Sequence, residues 1–282
     1  SCHDIVTPAG VHLERTFEEW QTSLFGNGQS GGLTCGNCHM NGDEDTAANF
    51  EGVPLREVHD HRMPGVDVAL TPFPHRDEAL EEVKAELDGV VLAQMCVEPP
   101  LAATNVIVTL ENAFAGHNIP SGAAQDRRMW LELIAWDADD NVIFETGKVA
   151  GDQPVASLEG VDPNLWLFRD RIFDDQGAEV HMFWQAASVE SELLPQAMTN
   201  DPMEVHSRER TFSIDLAAGI PQRVEMRLLM RPMGLEVLQS LVDSGHLDAA
   251  ILQEVPTYEV VDTIRYDRAV DGNAACLPPD VF

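Results

Sequence analysis

The sequence predicts an α+β chain: an irregular helical segment over residues 1–98, then a β-sandwich-like domain with short helices over residues 99–282. Three observations carry this. Early in the chain, apolar residues fall at helical spacing: Phe17, Trp20, Leu24 and Phe25, then Leu80, Val83 and Leu87. From Thr104 onward the pattern alternates as a half-buried strand does. Between them, residues 40–75 are rich in His, Pro, Gly and Asp and follow neither period.

Taken in order, the first helix spans residues 15–25, with Thr16 as cap and Glu19 as its capping-box partner. Gly26-Asn27-Gly28 ends it, and a glycine-rich stretch runs on to Thr34. A second helix is expected over 76–92. Strands follow at 104–113 and 127–138. In the second, Met129, Leu131, Leu133 and Ala135 face one way and Trp130, Glu132, Ile134 and Trp136 the other. Asp139-Asp140-Asn141 is turn chemistry, so residues 142–147 should return as a hairpin partner. Further strands are expected at 179–188, 210–216, 222–231 and 257–266, with short helices at Leu235–Asp243 and Leu247–Glu254. This strand-rich texture suits a sandwich.

Bulk properties exclude several classes. The chain has 282 residues, 44% of them hydrophobic, which suffices for a buried core. No apolar run reaches the roughly 18 residues needed to span a membrane. Seventeen Lys and Arg against 48 Asp and Glu give a formal charge of −31, which a nucleic-acid backbone would repel. The charge fits solubility, basic partners or a salt-rich habitat. The first residues carry no basic or long apolar leader, so an exported protein would have lost its leader already.

Five cysteines leave one unpaired by counting. Cys35-Gly36-Asn37-Cys38-His39 follows the C-x-x-C-H pattern of covalent haem attachment. There two thioethers clamp the porphyrin edge, and the adjacent histidine becomes the proximal iron ligand. The pattern also fits structural zinc or a redox C-x-x-C. Zinc calls for a second ligand pair, and a thioredoxin-like site for a neighbouring βαβ unit; neither is evident. The turn at 137–141 lacks the ligand spacing of a calcium loop. Cys96 and Cys276 are left to pair as a disulfide or to stand as buried thiols.

Three stretches together resemble the multihaem c-type cytochromes of bacteria: Glu19-Trp20-Gln21-Thr22-Ser23, Cys35 to Met40, and His61-Arg62-Met63-Pro64-Gly65. Residues 116–147 are similar to a β-domain often appended to them, marked by Gly116-His117-Asn118-Ile119-Pro120-Ser121-Gly122, Arg127-Arg128 and Trp130-Leu131-Glu132. The resemblance implies haem c, electron transfer and a periplasmic or extracellular location. Its partners would be other haem proteins or redox proteins, met as a homo-oligomer or as a subunit of a multihaem assembly. It also makes Ser1-Cys2-His3 the end of a second attachment motif, with Cys2 keeping one thioether and His3 a second iron. Cys2 reads equally as a lipidation or disulfide cysteine. For the sixth ligand opposite His39 the resemblance names His61, and His59, two residues away, is a substitute; His117 is the next candidate, for a second haem or a haem across a domain contact, and His12 and His75 are weaker. Met63 would be a higher-potential alternative, and Met40 is too close to the proximal side. Arg127 and Arg128 have two roles open, pairing a haem propionate or pairing the abundant carboxylates. Electron transfer leads. A haem enzyme of the peroxidase or nitrogen-oxyanion reductase kind, with an open sixth position, is the alternative, and a β-domain that serves as a binding module is a third.

Overall fold

The computed structural model describes residues 4–28, 31–40, 42–59, 61–198 and 206–277. Cys2 and His3 therefore lie outside the described residues. A two-stranded hairpin, β1 (Ile5–Val6) and β2 (His12–Leu13), leads into helices α1 (Thr16–Thr22) and α2 (Cys35–His39). A second hairpin, β3 (Gly42–Thr46) and β4 (Leu55–His59), precedes helix α3 (Arg76–Leu87). The strands β5 (Val91–Val97), β6 (Ala103–Asn112), β7 (Arg128–Trp136) and β8 (Val142–Thr146) follow. Next come β9 (Trp166–Phe168), β10 (Asp170–Phe173), β11 (Glu179–Val180), β12 (Ser188–Ser191), β13 (Arg208–Asp215) and β14 (Arg223–Arg231). Helix α4 (Leu235–Asp243), β15 (Tyr258–Asp267), α5 (Arg268–Asp271) and β16 (Ala275–Leu277) complete the chain.

Two antiparallel sheets form the sandwich. One runs β13-β6-β5-β16, and the other runs β15-β14-β7-β8 with β9 also on β7. Alternation decides what meets between them. Met95, Val106, Val108, Leu110 and Phe212 from the first sheet share one core with Met129, Leu131, Leu133, Val224, Met226 and Tyr266 from the second. Helix α3 adds Val83 and Leu87 to that core. The opposite face of β7 is buried as well. Trp130 packs with Val155, Leu167 and Leu229, and its Nε1 donates to the Gly147 carbonyl at 2.9 Å. Gly147 has φ +67°, and a Cβ there would sit 2.0 Å from the Leu131 oxygen, so only glycine fits this turn.

Several expectations need correction. Helix α3 stops at Leu87, and Val91 opens a strand; Gly89, at φ +73°, turns the chain between them. The first sheet thus takes β5 from within the stretch assigned to the N-terminal segment. Residues 42–59 form a hairpin that its sequence hides, because Gly42-Asp43-Glu44-Asp45-Thr46 is exposed on both faces and shows no alternation. The long strand expected over 179–188 is β11, a single 3-10 turn at Phe183–Gln185, and the start of β12. The helix expected at Leu247–Glu254 is a 3-10 turn, Ala249–Gln253. Cys96 and Cys276 do form a disulfide, as directly opposed residues of β5 and β16. Among the described residues, no helix is long and apolar enough to cross a membrane.

Candidate functional site

Helix α2 consists of the attachment pentapeptide itself. Asn37, a variable position of the motif, closes the helix start: the Thr34 backbone N–H donates to its Oδ1 at 2.8 Å. Cys35 and Cys38 stand unpaired on this turn. Desolvation, the Glu86 carboxylate and Cys35 raise the Cys38 thiol above its ordinary value.

His39, at the end of α2, donates from Nδ1 to the Pro64 carbonyl at 2.8 Å. Pro64 belongs to the His61–Gly65 motif, so that motif reaches the site through a backbone oxygen. The loop behind it is fixed to the sandwich. Tyr258 Oη donates to the Val66 carbonyl at 3.2 Å, and Arg127 grips both oxygens of Asp67 at 3.0 and 2.8 Å.

The imidazole that faces His39 is His117. The two ring centres are 6.3 Å apart and their planes differ by 13°. His117 donates from Nδ1 to the Asn118 carbonyl at 3.0 Å. Burial pushes this imidazole below its ordinary value; the Asn118 bond opposes the shift and His39 adds to it. Each ring thus has Nδ1 committed to a carbonyl, which assigns the bare nitrogen to Nε2, the usual arrangement of a metal-ligating histidine. An imidazole nitrogen sits about 2 Å from a bound first-row metal and the ring centre about 1.1 Å behind it, so two imidazoles across one ion have centres about 6.2 Å apart. The observed spacing fits a single metal held between these rings.

The loop carrying His117 is built by its own sequence. Asn112 donates to the His117 carbonyl at 2.8 Å and accepts from the Ala115 N–H at 3.1 Å. Ile119 exchanges backbone bonds with Leu194 at 2.9 and 2.8 Å. Helix α1 seals the loop from outside. Glu19 accepts from the Asn118 backbone at 3.1 Å and from its side chain at 3.0 Å, and Thr16 bonds Ser121 at 2.8 Å. Thr16 and Glu19 therefore hold this loop instead of forming the expected capping box. Burial raises the Glu19 carboxyl above its ordinary range, the Asn118 backbone bond lowers it, and Asp170 raises it further.

The remaining candidates lie elsewhere. His61 is exposed on the loop after β4, and Met63 is half-exposed at φ +45°. His59 donates from Nδ1 to the Met40 carbonyl at 2.8 Å, pinning the turn after α2. His12 pairs with Asp4 and His75 with Glu78 on the surface. Among these histidines the structure brings His117 to His39, while the segment of His61 meets His39 through the Pro64 carbonyl. Among the described residues, no group of three or more His, Cys, Asp or Glu is placed to hold a bare ion. A porphyrin supplies four nitrogens itself and asks the protein for only two axial ligands.

Of the two roles open to Arg127 and Arg128, the structure displays the pairing with carboxylates. Arg127 is spent on Asp67 and on the Ser121 and Pro232 carbonyls. Arg128, 1% exposed, pairs with Glu236 and bonds the Gln125 and Arg127 carbonyls. Glu236→Ala would leave that buried guanidinium without its countercharge. The expected loss is about 3 kcal/mol, the low end for breaking a buried pair because Glu236 keeps some contact with solvent. Urea unfolding reads it, and a loss under about 1 kcal/mol would put the pair among ordinary surface bridges.

The fold is like that of one multihaem c-type cytochrome. It is similar to the solved structure of a penta-heme cytochrome c552 from Thermochromatium tepidum, with a TM-score of 0.58 and 18% identity over 98% of this chain. The chain spans about half of that one, 53% of its length. No family model matches the sequence, and no curated protein is detectably similar to it.

Proposed function

We propose that this chain is an electron-transfer c-type cytochrome. It holds haem c through Cys35 and Cys38, with His39 and His117 as axial ligands. The observation that carries this is the His39–His117 pair, parallel to within 13° at 6.3 Å, with each Nδ1 on a carbonyl. When bound, haem supplies a one-electron couple. The protein's part is to fix the orientation of both imidazoles through the Nδ1–carbonyl bonds, which leave Nε2 as the nitrogen for the metal. Filling both axial positions suits electron transfer. The haem-enzyme alternative needs an open sixth position, which a ligating His117 would close.

The proposal divides the chain into a haem-bearing segment, residues 1–98, whose last strand β5 joins the sandwich, and a scaffold, residues 99–282, that contributes His117. It extends to a second haem at Cys2 and His3, with the exposed imidazoles of His61 and His59 open to it. Partners are other haem or redox proteins, in a homo-oligomer or a larger multihaem assembly. Haem c attachment and the Cys96–Cys276 disulfide both suit a periplasmic or extracellular compartment. Purified protein should be red, with a low-spin spectrum that neither carbon monoxide nor cyanide perturbs. Its intact mass should exceed the chain by one haem, or by two with Cys2 loaded. A colourless protein of bare chain mass would end the proposal, and a high-spin spectrum that responds to both ligands would favour the enzyme.

A further inference from the structure

Resting on that assignment of ligands, we infer that Glu19 and Trp20 of α1 are positioning residues that set His117 against His39. Glu19 reaches the His117 side: its carboxylate accepts from the Asn118 backbone and side-chain N–H groups, and the Asn118 carbonyl accepts from His117 Nδ1–H. Gln196 completes the clamp, since its backbone N–H donates to Asn118 Oδ1 at 3.0 Å and its side chain reaches the Glu19 carbonyl and Thr22 at 3.3 Å. Trp20 reaches the opposite side. Its Nε1 donates at 2.9 Å to the Leu33 carbonyl, directly before the residue that caps α2. The same indole lies against Gly116, where an added Cβ would come within 3.3 Å of Cδ1.

Two adjacent residues on one seven-residue helix therefore tie together the chain entering α2 and the loop bearing His117. Those two segments are about eighty residues apart in sequence, and each carries one imidazole. Their separation must hold to a fraction of an ångström for both to bond one metal, which is the task of outer partners around ligating histidines. Glu19 acts through Asn118 and Trp20 through the Leu33 carbonyl; neither is itself assigned as a ligand.

The test uses the haem-loaded full chain. Glu19→Ala should free Asn118 and loosen the His117–iron bond. Carbon monoxide should then bind the ferrous protein roughly tenfold faster or more, and the low-spin electron paramagnetic resonance g-values should move. If the ferric state loses tenfold more ligand affinity than the ferrous, the midpoint potential rises by about 59 mV, the one-electron equivalent. Glu19→Gln keeps one acceptor and should restore much of the wild-type behaviour, and it serves as the working variant if alanine prevents folding. Trp20→Phe should broaden the g-values by loosening the α2 side. Glu18→Ala, on the same helix but bonded to Arg15, should change none of these readouts. If Glu19→Ala lowers only the melting temperature, with spectrum, potential and carbon monoxide rate unchanged, α1 is mere packing and the inference falls. His117→Ala separates the two claims. Should that variant stay low-spin, the ligand assignment itself fails; should it turn high-spin while Glu19→Ala does nothing, only the positioning role fails.

Discussion

If His117 ligates as proposed, replacing it by alanine is expected to turn a low-spin haem centre into a high-spin one that binds carbon monoxide and cyanide more than about a hundredfold faster, because losing a ligand should matter more than losing the groups that orient it. The midpoint potential should move upward, since a strong imidazole donor is lost. The fold should survive. The loop at 112–122 hangs on Asn112, on the Ile119–Leu194 backbone pair and on the Thr16–Ser121 bond, and none of these uses the imidazole. His61→Ala, in an exposed position, is the matched comparison. Optical and paramagnetic resonance spectra of the two variants decide between them. If His61→Ala opens the centre and His117→Ala does not, the pairing of His39 with His117 is wrong.

The contrast between His61 and His117 shows what the sequence could and could not disclose. The attachment motif is local: five consecutive residues state their chemistry, and they form one helical turn. The strands β6, β7, β13, β14 and β15 are legible because a sheet with one face in a core must alternate, and theirs do. A sixth ligand is not local. Which of the nine other histidines faces His39 depends on a chain reversal seventy-eight residues downstream, and the family resemblance favoured the nearer His61-Arg62-Met63-Pro64-Gly65 segment. A usable signal was present in Asn112, Gly116, Asn118, Pro120 and Gly122. Turn-forming residues packed that densely around one histidine mark a rigid loop, and rigid loops carry function. The role of Glu19 was hidden differently. Threonine followed three residues later by glutamate reads as a capping box, and only the fold shows that both side chains are spent on the next loop. Arg127 and Arg128 were ambiguous for an electrostatic reason: among 48 carboxylates, a guanidinium finds a protein partner more readily than a porphyrin one.

Removing the disulfide, as Cys96→Ala with Cys276→Ala, should produce the largest stability change available by side-chain replacement. The bond closes a loop of 180 residues, so in the chain-entropy account its loss costs up to about 5 kcal/mol, with residual structure in the unfolded chain reducing the figure. A local consequence should appear first. Strand β16 has three residues at the sheet edge, and Ala275 and Leu277 only partly cover the core there. Without the bond, amide exchange in β16 should approach that of a frayed terminus while β6 and β14 stay protected. Urea unfolding measures the global part, and thiol titration of the denatured wild type, with and without prior reduction, should differ by two groups. The spectrum should not move in the folded variant, because β5 stays paired to β6 along its whole length. Helix α3 then still leads into an ordered sheet, and Arg76 on that helix still bonds the Ala69 carbonyl in the loop that holds Pro64 against His39. A loss below about 1 kcal/mol would mean the unfolded chain is already compact enough to make the crosslink redundant. A shifted spectrum at full folding would instead mean that loss of the bond reaches the site through β5, α3 and the loop that Arg76 holds.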